Sequence, residues 1–424
     1  MLKQDDNDLL TRVGPGTPMG QMLREYWVPA MRSQSLIADG APQRVRLMGE
    51  NFVAFRGTSG EVGFIYEACP HRGASMALAR NEDNSLRCIF HGWQIDVNGK
   101  LLDVPCEPAN RREAFKTGVK IGHFPTREAG GMLWVYLGKQ EQPPSFPEFE
   151  FNNLPASHVC ARRALVHYNW LQGLEAHLDA SHVGILHSGF MNAKRPLGIG
   201  IRDLSLATMH RAPRTEMQPT VYGLREGAVR DLDDGTSYVR IREVALPFFT
   251  FIPHAPHEPC SGRATVPIDD EWDAEWYILY DPHKPLDQHA IDMLWEGADD
   301  DPDNFAKSLG TAENLWHQDR DSMRTHWSGF PKSIPFEDFI ITESMGARQD
   351  RSNEQLGQAD IILVQVRRLL LNALRAYQQG QPAPWNFDPD TYRAIRAIAT
   401  TIPTEKAWQD VNPVMDERRQ TAAE

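Results

Sequence analysis

Apolar positions in the first third of the chain come as short runs separated by turn residues. Val62-Gly63-Phe64-Ile65-Tyr66 and Leu86-Arg87 have the length and make-up of strands. Turn signals stand at Asp39-Gly40, Thr58-Ser59-Gly60 and Asn98-Gly99. Asn98-Gly99 lies between Ile95-Asp96-Val97 and Lys100-Leu101-Leu102 and predicts a hairpin, because its tight turn needs positive φ. Residues 27–140 are therefore read as one strand-rich domain. Before it, residues 1–26 hold a capping-type start and a short amphipathic helix over Met19–Tyr26, expected to pack on the later domain. The proline-rich stretch Gln142–Glu148 marks a linker over residues 141–150.

Beyond the linker, strand-like stretches at Val159–Leu165, Tyr238–Ile252 and Glu275–Tyr280 predict an antiparallel sheet within a domain of residues 151–424. The Trp- and Asp-rich stretch 283–330 predicts loops and short helices, and Asp360–Tyr377 has the period of a long amphipathic helix. The tail from Asp416 onward is expected to be mobile. The fold class is thus α+β.

Composition changes this picture little. A chain of 424 residues has room for two or three domains. A net charge of −13 argues against a nucleic-acid partner, and no apolar run reaches transmembrane length. The start has no apolar signal region, and five cysteines form no disulfide framework, so the expected setting is a reducing bacterial cytoplasm. Cys106, Cys160 and Cys260 are expected to be buried or free thiols.

The chemistry is concentrated in two places. The first is Cys69-Pro70-His71 and Cys88-Ile89-Phe90-His91, with sixteen residues between them and a Gly-containing turn after each histidine. Two thiolates and two imidazoles at this spacing suit a [2Fe–2S] cluster with cysteines on one iron and histidines on the other. Zinc accepts the same ligand types but prefers two to four residues within its first pair. Four unrelated core residues are the bland reading.

The second place is Asn169–His187, where Asp179, His182 and His187 stand out. On a helix Asp179 and His182 share a face, and so does Glu175. His187 joins them only if the helix distorts or ends near Gly184. Two imidazoles and one carboxylate make the facial triad of a non-haem Fe(II) oxygenase. Asp338 is the best carboxylate, with Glu337 and Glu343 as competitors. His177 falls off this register and is expected to be solvated or beside a ligand. His123, His158 and His167 have no partner spacing.

With these motifs in hand, the chain resembles the Rieske non-haem iron ring-hydroxylating oxygenases, catalytic (alpha) subunit. The resemblance rests on C-x-H…C-x2-H, D-x2-H-x4-H and the late F-x-D-x2-I-x-E segment, and covers nearly the whole chain. Gly14–Gly20, Gly130–Gly138 and Asp350–Gly357 make it most similar to the phthalate 4,5-dioxygenase group. The resemblance implies an all-β Rieske domain and a helix-grip (START-like) catalytic domain. It implies one [2Fe–2S] cluster on Cys69, His71, Cys88 and His91, and one mononuclear Fe(II) on His182, His187 and Asp338. It further implies a trimer-based assembly, a homotrimer or homohexamer. There Asp179 would link His182 to His91 of the adjacent subunit. Family members often carry Asn where this chain has Glu175.

The chain has no G-x-G-x-x-G after a strand, so electrons must come from a reductase, in this branch a flavin and ferredoxin-type protein. Arg72, Arg80 and Arg87 are expected to help dock it, with scattered solvated arginines as the alternative. O2 and a small aromatic acid are the expected substrates. Pocket candidates are Phe190, Phe249, Phe251 and Trp276, each equally readable as core. Arg240 and Arg242 share one strand face and could bind a substrate carboxylate. Ring dihydroxylation and O-demethylation of a methoxy-aromatic acid both remain open. Outside the oxygenase class stand a Rieske electron carrier without a second iron and a zinc-stabilised interaction protein.

Overall fold

The structure is a computed structural model that describes residues 2–140, 142–192, 206–207, 211–256, 258–295 and 297–413. The tail from Asp416 lies outside the described residues. The chain divides into two compact units, Val13–Pro144 and Met1–Arg12 with Ser145–Glu424.

The first unit is built from small antiparallel sheets. β1 (Trp27–Arg32), β9 (Thr126–Ala129) and β10 (Met132–Tyr136) form one, in the order β1-β10-β9. β2 (Gln43–Leu47), β3 (Glu50–Arg56) and β4 (Val62–Tyr66) form the second, and β5 (Arg80–Glu82), β6 (Ser85–Arg87), β7 (Gln94–Asp96) and β8 (Leu101–Asp103) the third. β7 and β8 are the arms of the Asn98-Gly99 hairpin, with Gly99 at φ 75°. Val53, Phe55, Ile65, Leu86, Trp93 and Ile95 form a core that also encloses Cys69 and Cys88.

The segment 1–26 does not act as one piece. Residues 2–12, with the helix Gln4–Thr11, belong to the second unit, where Asn169 Nδ2 donates to Thr11 O at 2.8 Å. The short helix Pro18–Leu23 belongs to the first, because Arg24 behind it donates to Glu50 and to Met48 O at 2.8 Å each.

The second unit is organised by an eight-stranded antiparallel sheet. Its strands are β11 (Val159–Val166), β12 (Arg214–Thr220), β13 (Gly223–Asp231), β14 (Thr236–Ala245), β15 (Phe249–Ile252), β16 (Cys260–Pro267), β17 (Asp273–Tyr280) and β18 (Ile398–Pro403). They run β11-β17-β16-β15-β14-β13-β12, with β18 also on β14. Alternation divides the sheet into two unlike faces. The outer face carries Phe249 and Phe251 against Phe149, Tyr280 against Phe151, and Val239 and Ile241 against Ile398 and Trp408. The inner face carries Glu226, Tyr238, Arg240, Arg242, Thr250, Arg263, Glu275 and Tyr277, as the cross-strand registers require.

Two helices lie on the inner face. The site helix, Trp170–Leu178, starts at Asn169, whose side chain accepts from the Leu171 N–H at 3.1 Å. The late helix, Ile334–Glu343, packs Phe336, Phe339 and Ile340 into a core with Tyr277, Trp295 and Phe305. The long helix over Ile361–Gln378 matches the predicted amphipathic segment, while β12, β13, β16 and β18 were not foreseen.

Candidate functional site

In the first unit, two loops repeat one hydrogen-bond frame. Cys69 N–H donates to Ala74 O and Gly73 N–H to Cys69 O, both at 2.8 Å. Cys88 N–H donates to Trp93 O at 2.8 Å and Gly92 N–H to Cys88 O at 2.9 Å. Gly73 (φ 77°) and Gly92 (φ 73°) close the frames, a backbone shape that disfavours any side chain. The frame sets each glycine four residues after its cysteine. It holds whether histidine comes two or three residues after that cysteine.

The thiols of Cys69 and Cys88 are buried and adjacent, and neither is in a disulfide. Burial, with Cys88 alongside, pushes the Cys69 thiol up to about 11. The His71 and His91 rings are 4.5 Å apart and half-exposed, with His71 stacked on Trp93 at 4.7 Å. Cysteines thus meet cysteines and histidines meet histidines. Among the described residues, the group of three or more His, Cys or acidic ligand atoms within 4.8 Å lies elsewhere. Two separate pairs fit two irons bridged by sulfide better than one tetrahedral zinc.

That compact group is His182, His187 and Asp338. Asp338 Oδ1 is 3.5 Å from His182 Nε2 and 3.1 Å from His187 Nε2. Each imidazole gives its other nitrogen to a different carboxylate. Asp179 Oδ2 is 3.3 Å from His182 Nδ1, and Glu337 Oε2 is 2.6 Å from His187 Nδ1. Such outer carboxylates orient metal-binding imidazoles and raise their basicity. Burial disfavours the His187 cation, yet Asp338 and Glu337 outweigh it and raise the imidazole to about 10. Burial likewise acts against the Asp338 anion, and His187 and His182 overcome it, holding this carboxyl below its usual range. Acceptors gathered with this excess of negative charge fit a dication.

The local chain path explains the arrangement. The site helix ends at Leu178, and Asp179 is already extended (φ −74°, ψ 119°). Its carboxylate accepts from Ser181 N–H at 2.6 Å, and a short 3-10 turn, His182–Gly184, presents His182. The helix thus stops earlier than the expected break near Gly184. Asp179 does not share a continuous helical face with Glu175. Glu175 is buried against Arg351 (2.9 Å) and Arg367 (2.6 Å), a structural ion network. His177 is buried, not solvated, with Nε2 3.5 Å from Glu275 Oε2. Glu343 accepts from His167 N–H and Trp316 Nε1 and takes no part in the group.

Several pocket expectations need correction. Phe249, Phe251 and Trp276 face away from the site helix, because strand parity puts them on the outer layer. Arg242 is inward but occupied. It pairs with Glu226 and donates to Leu178 O at 2.7 Å, so it caps the carbonyl end of the site helix. Arg240 is inward and buried, with hydrogen bonds to Tyr238 Oη (3.4 Å) and Pro253 O (3.3 Å). Phe190 is half-buried and meets His326 edge-on at 4.8 Å, close to Ser328, which bonds Glu337. Sequence reading weighed Glu337 only as a rival ligand; its adjacency to Asp338 was the available signal.

Around the cysteine loops, Arg87 is tied to Glu82 (3.0 Å), Asp103 (3.4 Å) and Gln94 (2.5 Å), and Arg80 to Glu82 (2.8 Å). Arg87 and Arg80 are thereby ion-paired within their own unit. Arg72 is exposed and lies over the Phe90 ring. Cys106 is exposed, Cys160 half-buried and Cys260 buried, and none of them is in a disulfide. Among the described residues no helix is long and apolar enough to cross a membrane.

Comparison with known proteins gives the family. Residues 26–124 match the Rieske [2Fe-2S] domain family, and residues 135–424 match the LigXa C-terminal domain like family. The chain is 34% identical to the 3-chlorobenzoate-3,4-dioxygenase oxygenase subunit of Comamonas testosteroni, across 95% of this chain and 96% of that one. It is 33% identical to the phthalate 4,5-dioxygenase oxygenase subunit of Pseudomonas putida, across 97% and 94%. The 5,5'-dehydrodivanillate O-demethylase oxygenase subunit of a Sphingobium species is 32% identical, across 97% and 88%. With the Rieske match over the loops that pair Cys69 with His71 and Cys88 with His91, and likeness to oxygenase subunits along nearly its full length, this chain belongs to the Rieske aromatic ring-hydroxylating oxygenases as an alpha, or oxygenase, subunit.

Proposed function

We propose that this oxygenase subunit dihydroxylates the ring of an aromatic carboxylate, with Cys69, His71, Cys88 and His91 holding the cluster and His182, His187 and Asp338 holding a mononuclear iron. The cluster and iron together supply one-electron transfer and the site at which O2 is activated. Residues 27–140 serve as the electron-accepting domain and 151–424 as the catalytic domain. Electrons come from a flavin and ferredoxin-type reductase, and the assembly is trimer-based.

One observation carries the substrate class. Arg230, Arg240 and Arg242 share the inner face, where Glu226 is the carboxylate paired with Arg242. Three guanidinium groups crowd that face, and burial, followed by Arg240, lowers Arg230 to about 10. An anionic substrate relieves that crowding, and guanidinium matches a carboxylate in shape. Arg240→Gln is expected to raise KM about 10- to 100-fold, the loss of one charge-assisted hydrogen bond. Steady-state kinetics with acid and methyl-ester substrates checks this, and an equal KM for both would remove Arg240 from recognition.

Asp179 is assigned the link between His182 and His91 of the adjacent subunit. Asp179→Asn keeps the shape but removes the charge beside His182 Nδ1. It is expected to retain both metals while slowing cluster oxidation about 10- to 100-fold, as for other outer-partner losses. Stopped-flow oxidation of the reduced protein reads this directly. Full-speed oxidation would end the assignment.

A second reading, O-demethylation of a methoxy-aromatic acid, is supported by the O-demethylase relative, 32% identical against 34% and 33% for the two dioxygenases. Single turnover of the reduced protein under 18O2 separates the two. A cis-diol with two labelled oxygens supports dihydroxylation; formaldehyde with a phenolic acid overturns it in favour of the second reading.

A further inference from the structure

Two carboxylates stand against the site helix on the inner face, with no place in the scheme above. Asp273 and Glu275, two residues apart on β17, are both 0% exposed. Tyr168 Oη donates to Glu275 Oε1 at 3.0 Å, and His177 Nε2 is 3.5 Å from Glu275 Oε2. Room for this carboxylate is made by the site helix itself: a Cβ at Gly173 would come 2.0 Å from Glu275 Oε1. Both oxygens of Asp273 and Oε2 of Glu275 are buried without a hydrogen-bond donor. Two ionised carboxylates left in that state would each bear a full desolvation cost. One proton between them satisfies the unpaired oxygens and removes one charge.

We propose that Asp273 and Glu275 hold a common proton and donate it, through His177, during oxygen reduction at the His182–His187–Asp338 group. The inference rests on the oxygenase reading of that group.

The surroundings favour a held proton. Around Glu275 stand Tyr168, His177, Arg263, Tyr277, Asp273 and Asp338. Burial raises Glu275 above the ordinary carboxylate range; Tyr168 and Arg263 pull it down and Asp338 pushes it up. Burial and then Glu275 raise Asp273 well above its ordinary value. Arg263 is a single cation, stacked 3.7 Å from the centre of the Tyr277 ring and donating to Ser261 Oγ and Gly262 O. It cannot neutralise Asp273, Glu275 and Asp338 together. His177 is suited to relay the proton. Burial and Arg263 lower it to about 3, so its imidazole is neutral, and Asp338 and His182 lie near enough to act on its charge. Its Nδ1 is buried with no hydrogen-bond partner.

The stoichiometry calls for two protons per turnover. Ring dihydroxylation consumes substrate, O2, two electrons and two protons; O-demethylation consumes the same and releases formaldehyde and water. The electrons come from the reduced iron–sulfur donor protein. The pair supplies one proton. Its O–H bond breaks, His177 accepts the proton at Nε2 and releases its Nδ1 proton to the oxygen being reduced, and protons from solvent reset the pair and the His177 tautomer between turnovers.

Infrared difference spectra of the full holoenzyme test the pair directly. A protonated-carboxyl carbonyl band is expected at neutral pH. It should shift in D2O, fade only as the solution is made alkaline and be absent from the Asp273→Asn/Glu275→Gln double variant. In single turnover, Glu275→Gln is expected to form product roughly 100-fold more slowly, with hydrogen peroxide released instead and the alkaline limb of the pH profile lost. No band in the wild type overturns the proposal whatever the iron does. A band with unchanged product rate and pH profile in Glu275→Gln shows a structural pair and overturns it too. A wild type with the band that oxygenates nothing overturns the oxygenase reading, and the donor role with it.

Discussion

Asp338→Ala is expected to leave a red-brown, inert protein. The substitution lies in the second unit and leaves the Cys69, His71, Cys88 and His91 loops untouched, so the visible spectrum and acid-labile sulfide should stay at wild-type levels. At the His182–His187 pair it removes the carboxylate that stands 3.5 and 3.1 Å from their Nε2 atoms. Loss of an outer carboxylate weakens metal binding by about 10- to 100-fold, and loss of a direct anionic ligand is expected to exceed that. The mononuclear iron should fall to background in metal analysis, and turnover with it. Glu337→Gln is the companion. It keeps a hydrogen-bonding group at His187 Nδ1 and should lose iron only partly. Full iron and full turnover in Asp338→Ala would hand the ligand role to Glu337, its neighbour on the helix.

Arg351→Met is expected to cost the second unit about 3–5 kcal/mol, the range for breaking a buried pair from one side. Arg351 is fully buried and grips Glu175 through Nε and Nη2 at 2.9–3.2 Å, while Arg367 reaches the same carboxylate at 2.6 Å. Burial pushes Glu175 up, but the two guanidinium groups outweigh it and hold the carboxyl below its usual range. Its contribution is therefore present above the ordinary carboxylate pKa and is lost as pH falls through the depressed one. The variant should lose stability near neutrality and show a weaker dependence on acid. Unfolding rates in denaturant are the right measure, since a two-unit chain need not unfold in one reversible step. Adding Glu175→Leu to Arg351→Met should restore much of the loss, because no lone charge then remains inside. A single variant as stable as the wild type would show that Arg367 alone compensates Glu175.

The cluster loops were legible because spacing and turn chemistry coincide: glycine is needed at Gly73 and Gly92, and histidine precedes each closely. The hairpin at Asn98-Gly99 was legible for the same local reason. The sheet of the second unit was only half legible. β16 reads Cys-Ser-Gly-Arg-Ala-Thr-Val-Pro and β13 carries Glu226 and Arg230. In β16 the alternation is inverted and its outward residues are small, Cys260, Gly262 and Ala264, while the inward side of β13 mixes Leu224 and Ala228 with Glu226 and Arg230, so neither strand shows the usual apolar stripe. The same reversal misplaced Phe249 and Phe251. In a sheet whose site side is charged, aromatic residues mark the opposite side. The stop of the site helix at Leu178 was also hidden. It depends on Arg242 reaching the Leu178 carbonyl from a strand sixty-four positions later.

That two-faced sheet also bears on which substitutions the fold tolerates. The aromatic and aliphatic layer that stabilises the second unit occupies one set of strand positions, and the charged groups beside His182 occupy the alternate set. Exchanging Tyr238, Arg240 or Thr250 leaves the stabilising layer intact. A mutant library confined to Tyr238, Arg240 and Thr250 should therefore yield folded proteins at a far higher rate than one of equal size confined to Val239, Ile241, Phe249 and Phe251.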